Sequence, residues 1–233
     1  MHPPGGGPCG RTPRGTLTAS ALPSTHRGRQ GGCALRKRSW SAPRQGFRDR
    51  SAEPVGRICY FPQLIGALLQ TPAYAHALIS SSPRASTKKT ASALVQVRQG
   101  RRGILTRPDD PTELRTVIDE SALRPRAGAA ADLMRDQLLI LLSMAKRENV
   151  TLRVMPLDAP LHLGLTSNMT IMEFRDPWQP VAMIDHNRGG VFLEAPEDVD
   201  AFTDVFDGVY ESALTADQSR ELIKKYLKGN TYD

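Results

Sequence analysis

Residues 113–173 constrain this chain more than any other stretch of its sequence. They read Leu114-Arg-Thr-Val-Ile-Asp119, then a leucine-rich segment over 132–146, then Val150-Thr-Leu-Arg-Val-Met155, then Asn168-Met-Thr-Ile-Met-Glu173 with Phe174 after it. The first, third and fourth pieces are short, β-branched and alternating, which predicts half-buried strands. The second is long and rich in Leu, Met, Ala, Gln and Arg, all good helix formers. A strand, a helix and a strand of these lengths predict a right-handed βαβ crossover with the two strands parallel.

The flanks extend this unit. Thr71 before Pro72 predicts a helix start, with a hydroxyl cap and proline at the first helical position. A second helix is expected over 86–100, with Leu94 and Val97 inward. Arg98, Arg101 and Arg102 near its end either complement the helix dipole from a solvated face or grip an anionic ligand. Pro156 ends the strand before it. Residues 175–180 and 187–190 read as hairpin-like connections, which add antiparallel strands. Pro196-Glu-Asp198 opens a helix whose Val199, Phe202, Phe206 and Val209 form a seam. That seam packs on the intramolecular core or, alternatively, makes a homodimer interface. Thr215-Ala-Asp-Gln218 fits a capping box for a last helix, with Leu222, Ile223, Tyr226 and Leu227 inward. The predicted fold is α+β: a mixed β-sheet of four to five strands with a βαβ unit, packed by N-terminal and C-terminal helices.

Charge separates the chain into unlike parts. The net charge of +7 invites a nucleic-acid reading until it is located. Residues 1–57 hold 11 Lys and Arg against two acids, and the remainder is near neutral. The same 57 residues hold ten Gly and seven Pro and few large apolar side chains, too few to offset ordering entropy. We therefore expect a disordered basic segment over 1–57, a single α+β domain over 58–228 and a tail over 229–233. The basic segment is read as a solvated tail, a phosphate-contacting arm, or a gene-model artefact. Three cysteines, all at or before Cys59, fit a reducing compartment without a structural disulfide. No apolar run suggests a membrane span, and the expected location is cytoplasmic.

Chemistry-bearing residues are sparse. Asp119 and Glu120 are adjacent carboxylates, but neighbours on a strand point to opposite faces. His162 lies in a loop with Gly164, where a ligand or base could sit. His186 is its only neighbour among the histidines, and no other metal-ligand spacing appears. No catalytic residue, metal ligand or cofactor is assigned. The enzymatic alternative is a small-molecule enzyme using Glu120 and His162 in a cleft.

Several phrases, taken in order, resemble one family. They are Gly66-Ala-Leu-Leu-Gln-Thr-Pro-Ala-Tyr74, Asp119-Glu-Ser-Ala-Leu-Arg124, Gln137-Leu-Leu-Ile-Leu-Leu142, Asn149-Val-Thr-Leu-Arg-Val-Met-Pro156, His162, the strand to Glu173-Phe174, and Leu214-Thr-Ala-Asp-Gln-Ser219. Together they resemble the C-terminal domain of unknown function of bacterial Xre-type helix-turn-helix regulators, which are antitoxin-like. The resemblance covers residues 58–228, and Gly66 stands where that family usually has proline. It implies a non-enzymatic domain that senses a signal or binds a small partner protein encoded nearby. Any contact with DNA is expected only through a helix-turn-helix module, and residues 1–57 show no such periodicity. The expected interaction surface joins Leu68, Leu69, Gln70, Thr71 and Tyr74 of the first helical segment to Glu120 and to His162 in the loop 156–165.

Overall fold

The computed structural model describes residues 54–82, 87–124, 131–166, 168–186 and 189–229. Its sheet is mixed and has six strands, β1 (Gly56–Phe61), β2 (Glu113–Asp119), β3 (Val150–Met155), β4 (Met169–Glu173), β5 (Val181–His186) and β6 (Gly189–Leu193). The spatial order is β3-β2-β1-β4-β5-β6. The crossover unit forms as expected: β2 and β3 are parallel neighbours, with Leu114 opposite Val150 and Asp119 opposite Met155. The hairpin-like connections also form, and β4, β5 and β6 run antiparallel in turn.

The sixth strand is a correction. β1 pairs parallel with β2 and antiparallel with β4, so it lies at the centre of the sheet. It contains Gly56 and Arg57, which the sequence reading placed in the disordered segment. Ile58 and Tyr60 point to one face and Cys59 to the other, each into a hydrophobic cluster. The remaining expectation of disorder, over 1–53, falls outside the described residues, as do residues 230–233.

Five helices cover the sheet: α1 (Pro72–Ser80), α2 (Lys88–Thr106), α3 (Ala131–Met144), α4 (Pro196–Ser212) and α5 (Ala216–Gly229). On one face, Leu138 and Leu141 of α3, Ile223 of α5 and Leu105 of α2 pack on Leu114, Ile118, Leu152 and Val154. On the other, Val199, Phe206 and Val209 of α4 pack on Ile58, Tyr60, Val117 and Ile171. The seam on α4 is therefore intramolecular core.

Two devices hold α4 and α5 on the sheet. Arg153 and Arg115 place their guanidinium carbons 3.7 and 4.7 Å from the Tyr210 ring centroid. Such cation–π contacts contribute about 0.5–1 kcal/mol at exposed sites. β3 is an edge strand, and the outer backbone groups of Val154 are satisfied by α5 and the connection before it. The Val154 amide donates to Ser219 Oγ at 2.8 Å, and the Leu214 amide donates to the Val154 carbonyl at 2.9 Å. The capping box of α5 forms, with the Thr215 amide donating to Gln218 Oε1 and the Gln218 amide to Thr215 Oγ1.

α2 departs from its prediction in length and in orientation. It runs past Gly100 to Thr106, and Leu94 and Val97 face outward, 40% and 57% exposed. The inward stripe is Ala91 and Val95 against α1, then Arg98 and Arg102, then Leu105. Arginines stand inward because the carbonyls of Leu68 and Gln70 and the Gln70 side-chain oxygen require donors there, as the next subsection describes.

Candidate functional site

The three parallel strands end together at Phe61, Asp119 and Met155. Ligands of open α/β sheets bind outside this carboxyl edge, where the connecting loops converge. At the opposite edge an open groove runs past Gly56, Glu113 and Glu173, and its Arg175 is paired with Asp110 at 2.7 Å. The more unusual chemistry lies at the carboxyl edge.

After β2 the chain turns into a 3-10 segment, Glu120–Leu123. The Asp119 carboxylate caps it, accepting from the Ser121 amide at 2.8 Å. Glu120 Oε1 accepts from the Tyr226 hydroxyl at 2.6 Å, and Oε2 accepts from the Leu157 amide at 3.0 Å. Burial first, and then the hydrogen bond to Glu120, raise the Tyr226 phenol above its ordinary range. The two carboxylates do not converge. Asp119 serves its own turn, while Glu120 fastens the end of β2 to α5 and to the loop after β3.

That loop, residues 156–166, inverts the usual distribution of side chains. His162 and Gly164 face inward, whereas Leu161 and Leu163 are 95% and 69% exposed and Leu157 and Leu165 about half exposed. The His162 ring meets the edge of Tyr60, with centroids 5.8 Å apart. Tyr60 is fully buried, and neither its hydroxyl nor His162 Nδ1 has a hydrogen-bond partner among the described residues. Burial first, and the Asp119 charge second, push the Tyr60 phenol far above the ordinary tyrosine range, so it stays protonated. Gly164 permits the close approach. A Cβ there would lie 2.5 Å from Val209 Cγ2 and 2.8 Å from Tyr60 Cε1. Glu120 is drawn toward α5 on one face of the sheet and His162 toward Tyr60 on the other. Among the described residues, the pair invoked by the enzymatic alternative is thus engaged on opposite faces of the sheet.

The first helical segment is not the exposed surface that the sequence reading expected. Leu68, Leu69, Gln70 and Thr71 are all buried, and Tyr74 is half-buried with its hydroxyl accepting from the Ile65 amide. They form a polar hub around the 3-10 turn Ala67–Leu69. Gln137, reaching up from α3, donates to the Leu69 carbonyl and accepts from the Thr71 amide, both at 2.7 Å. Gln70 Nε2 donates to the Ile65 carbonyl at 2.6 Å. Arg98 donates to Gln70 Oε1 at 2.9 Å, and Arg102 donates to the carbonyls of Leu68 and Gln70. These partners are the unsatisfied ends of a short turn, and side chains from α2 and α3 complete it. The motif signal was real, but it marked architecture.

The described residues contain no group of three His, Cys, Asp or Glu arranged to hold a metal ion. The His186 side chain, considered with His162, lies outside what the structure describes. Neither a curated protein nor a solved structure matches the chain. A family model does: a domain of unknown function, DUF5753, matches residues 55–225. That span opens one residue before β1 and closes within α5, so it takes in the whole sheet, α1 to α4 and most of α5. It covers well over half of the sequence, and the chain belongs to the DUF5753 family.

Proposed function

We propose that this domain is a non-enzymatic sensor and partner-binding unit of an antitoxin-like helix-turn-helix transcriptional regulator, and that it captures a small partner protein through the loop 156–166. The regulator context rests on the phrases that resemble Xre-type proteins. The interaction face rests on one observation, the four leucines that this loop turns to solvent. An isolated exposed leucine is ordinary, but four in one loop form the kind of apolar patch that marks a protein contact. The engagement of both Glu120 oxygens in structural hydrogen bonds supports binding over acid–base chemistry.

The test is co-purification with the small protein encoded beside it. We expect a complex with the intact chain that is lost on Leu161→Asp with Leu163→Asp while circular dichroism stays unchanged. A folded double variant that still binds would move the contact elsewhere. A folded native chain that captures nothing would overturn the reading.

A further inference from the structure

Charge in this fold is sorted by helix. α2 carries two lysines and three arginines and no acid, while α4 carries six acids and no base. They lie against opposite faces of the sheet and cannot meet within one molecule. Arg98 and Arg102 are turned toward Gln70, which leaves Lys89, Leu94, Val97 and Arg101 on the outer side of α2. On α4, Glu197, Ala201, Asp204, Gly208 and Glu211 are all exposed and recur at alternating steps of four and three, so they form one stripe.

Neither face is explained by the chain that carries it. Leu94 and Val97 stand 40% and 57% exposed, and Glu197, Asp204 and Glu211 form no ion pair among the described residues. Gly100 of α2 and Gly208 of α4 stand inside long helices with open space where a side chain would be. Glycine is unfavourable at such positions, and no intramolecular neighbour requires it. A second helix approaching closely would require it. Lys89 lies about 140° around α2 from Leu94, with Val97 between them, so the α2 side is a broad face, about 18 Å from Lys89 to Arg101 against about 21 Å from Glu197 to Glu211 on α4.

We propose that α2 of one molecule docks antiparallel along α4 of a second copy of this chain. Lys89 then lies toward Glu211 and Arg101 toward Glu197, with Leu94 and Val97 over the low floor at Ala201 and Gly208. The antiparallel sense also sets each helix end against the opposite dipole of its neighbour. Because two different surfaces meet, the contact is heterologous, and it propagates unless a ring closes. Its attraction runs between exposed charges and is weakened by salt. This surface is separate from the leucine loop, so the two proposals stand or fall independently.

Sedimentation of the full chain over a concentration series tests it. We expect the mean mass to grow beyond two copies at low salt and to return to that of a monomer at high salt. Leu94→Glu with Val97→Glu closes the α2 face; Ala201→Gln with Gly208→Gln closes the α4 face. Each double variant alone should stay monomeric, and a mixture of the two should form a complex that stops at two copies. These positions are exposed, and circular dichroism confirms that the variants fold. A native chain that is monomeric at every concentration overturns the proposal, including one that binds duplex DNA through α2 instead. So does a closed dimer that survives in either variant, because that interface would be isologous.

Discussion

Two segments follow the carboxyl ends of parallel strands in this molecule, and they are built on opposite rules. The turn after β1 buries its polar residues, Gln70 and Thr71, and gives their groups partners from α2 and α3. The loop after β3 exposes its leucines and covers a tyrosine hydroxyl and an imidazole nitrogen that have no partners among the described residues. Sequence reading assigned both to one interaction surface. A buried and fully bonded polar hub fixes how elements join. An apolar face held in water, above polar atoms without partners among the described residues, is what the proposed partner contact accounts for.

The contrast predicts its largest effect at the hub. Gln137→Leu removes partners from the Leu69 carbonyl and the Thr71 amide at once. Each buried group left unsatisfied costs about 1–3 kcal/mol, so a loss of about 3 kcal/mol is expected. It should appear as a lower denaturant midpoint with an unchanged slope. Arg102→Met should cost less, about 1–2 kcal/mol, because its site is partly exposed and water can replace the lost donor. If both variants were neutral, the hub would be no more structural than the loop.

Tyr60 lies on the loop's side of the comparison. Its hydroxyl is buried without a partner among the described residues, so Tyr60→Phe should be neutral or stabilise by up to about 1 kcal/mol. A clear loss of stability would mean that the hydroxyl is bonded in solution. The raised phenol also predicts a pH dependence. The unfolded chain releases this proton near the ordinary tyrosine value of 10.0 and the folded chain retains it to higher pH. The contribution is therefore complete below that value and is lost as pH rises through the folded one. Equilibrium unfolding above pH 10 should show a falling stability, shallower in Tyr60→Phe. Tyr226 and the buried Cys59 thiol, both also raised by burial, contribute to the remaining slope.

What was legible in the sequence follows from period. The crossover from β2 through α3 to β3, the two hairpin connections, and the helices α4 and α5 carry alternation or a 3.6-residue repeat strong enough to read directly. β1 was hidden because its strand of six residues abuts a Gly- and Pro-rich segment that argues for disorder. The signal was present in the short apolar run Ile58-Cys-Tyr-Phe61, which suits a central strand buried on both faces. α2 misled for another reason. Apolar residues were taken to mark the buried face, yet its inner face is set by carbonyls 28 to 34 residues away that need arginine donors. No local pattern encodes that demand. The candidate site was half legible: His162 could be singled out, but its contact with Tyr60 depends on a strand that had not been recognised.

The smallest effect on stability is expected where the largest effect on binding lies. Leu161→Ser and Leu163→Ser remove side chains that are 95% and 69% exposed and contact little of the core. Substitutions at such positions usually shift stability by no more than about 0.5 kcal/mol. The unfolding midpoint of the double variant should therefore overlay that of the native chain. Loss of stability comparable to Gln137→Leu would mean that these leucines pack within the chain in solution. The loop would then be a second structural hub, and the division between the two segments would fail. An unchanged midpoint together with lost capture of the partner would place the cost of exposing those leucines on the binding side, because a surface kept apolar without benefit to the fold must gain its contacts from another molecule.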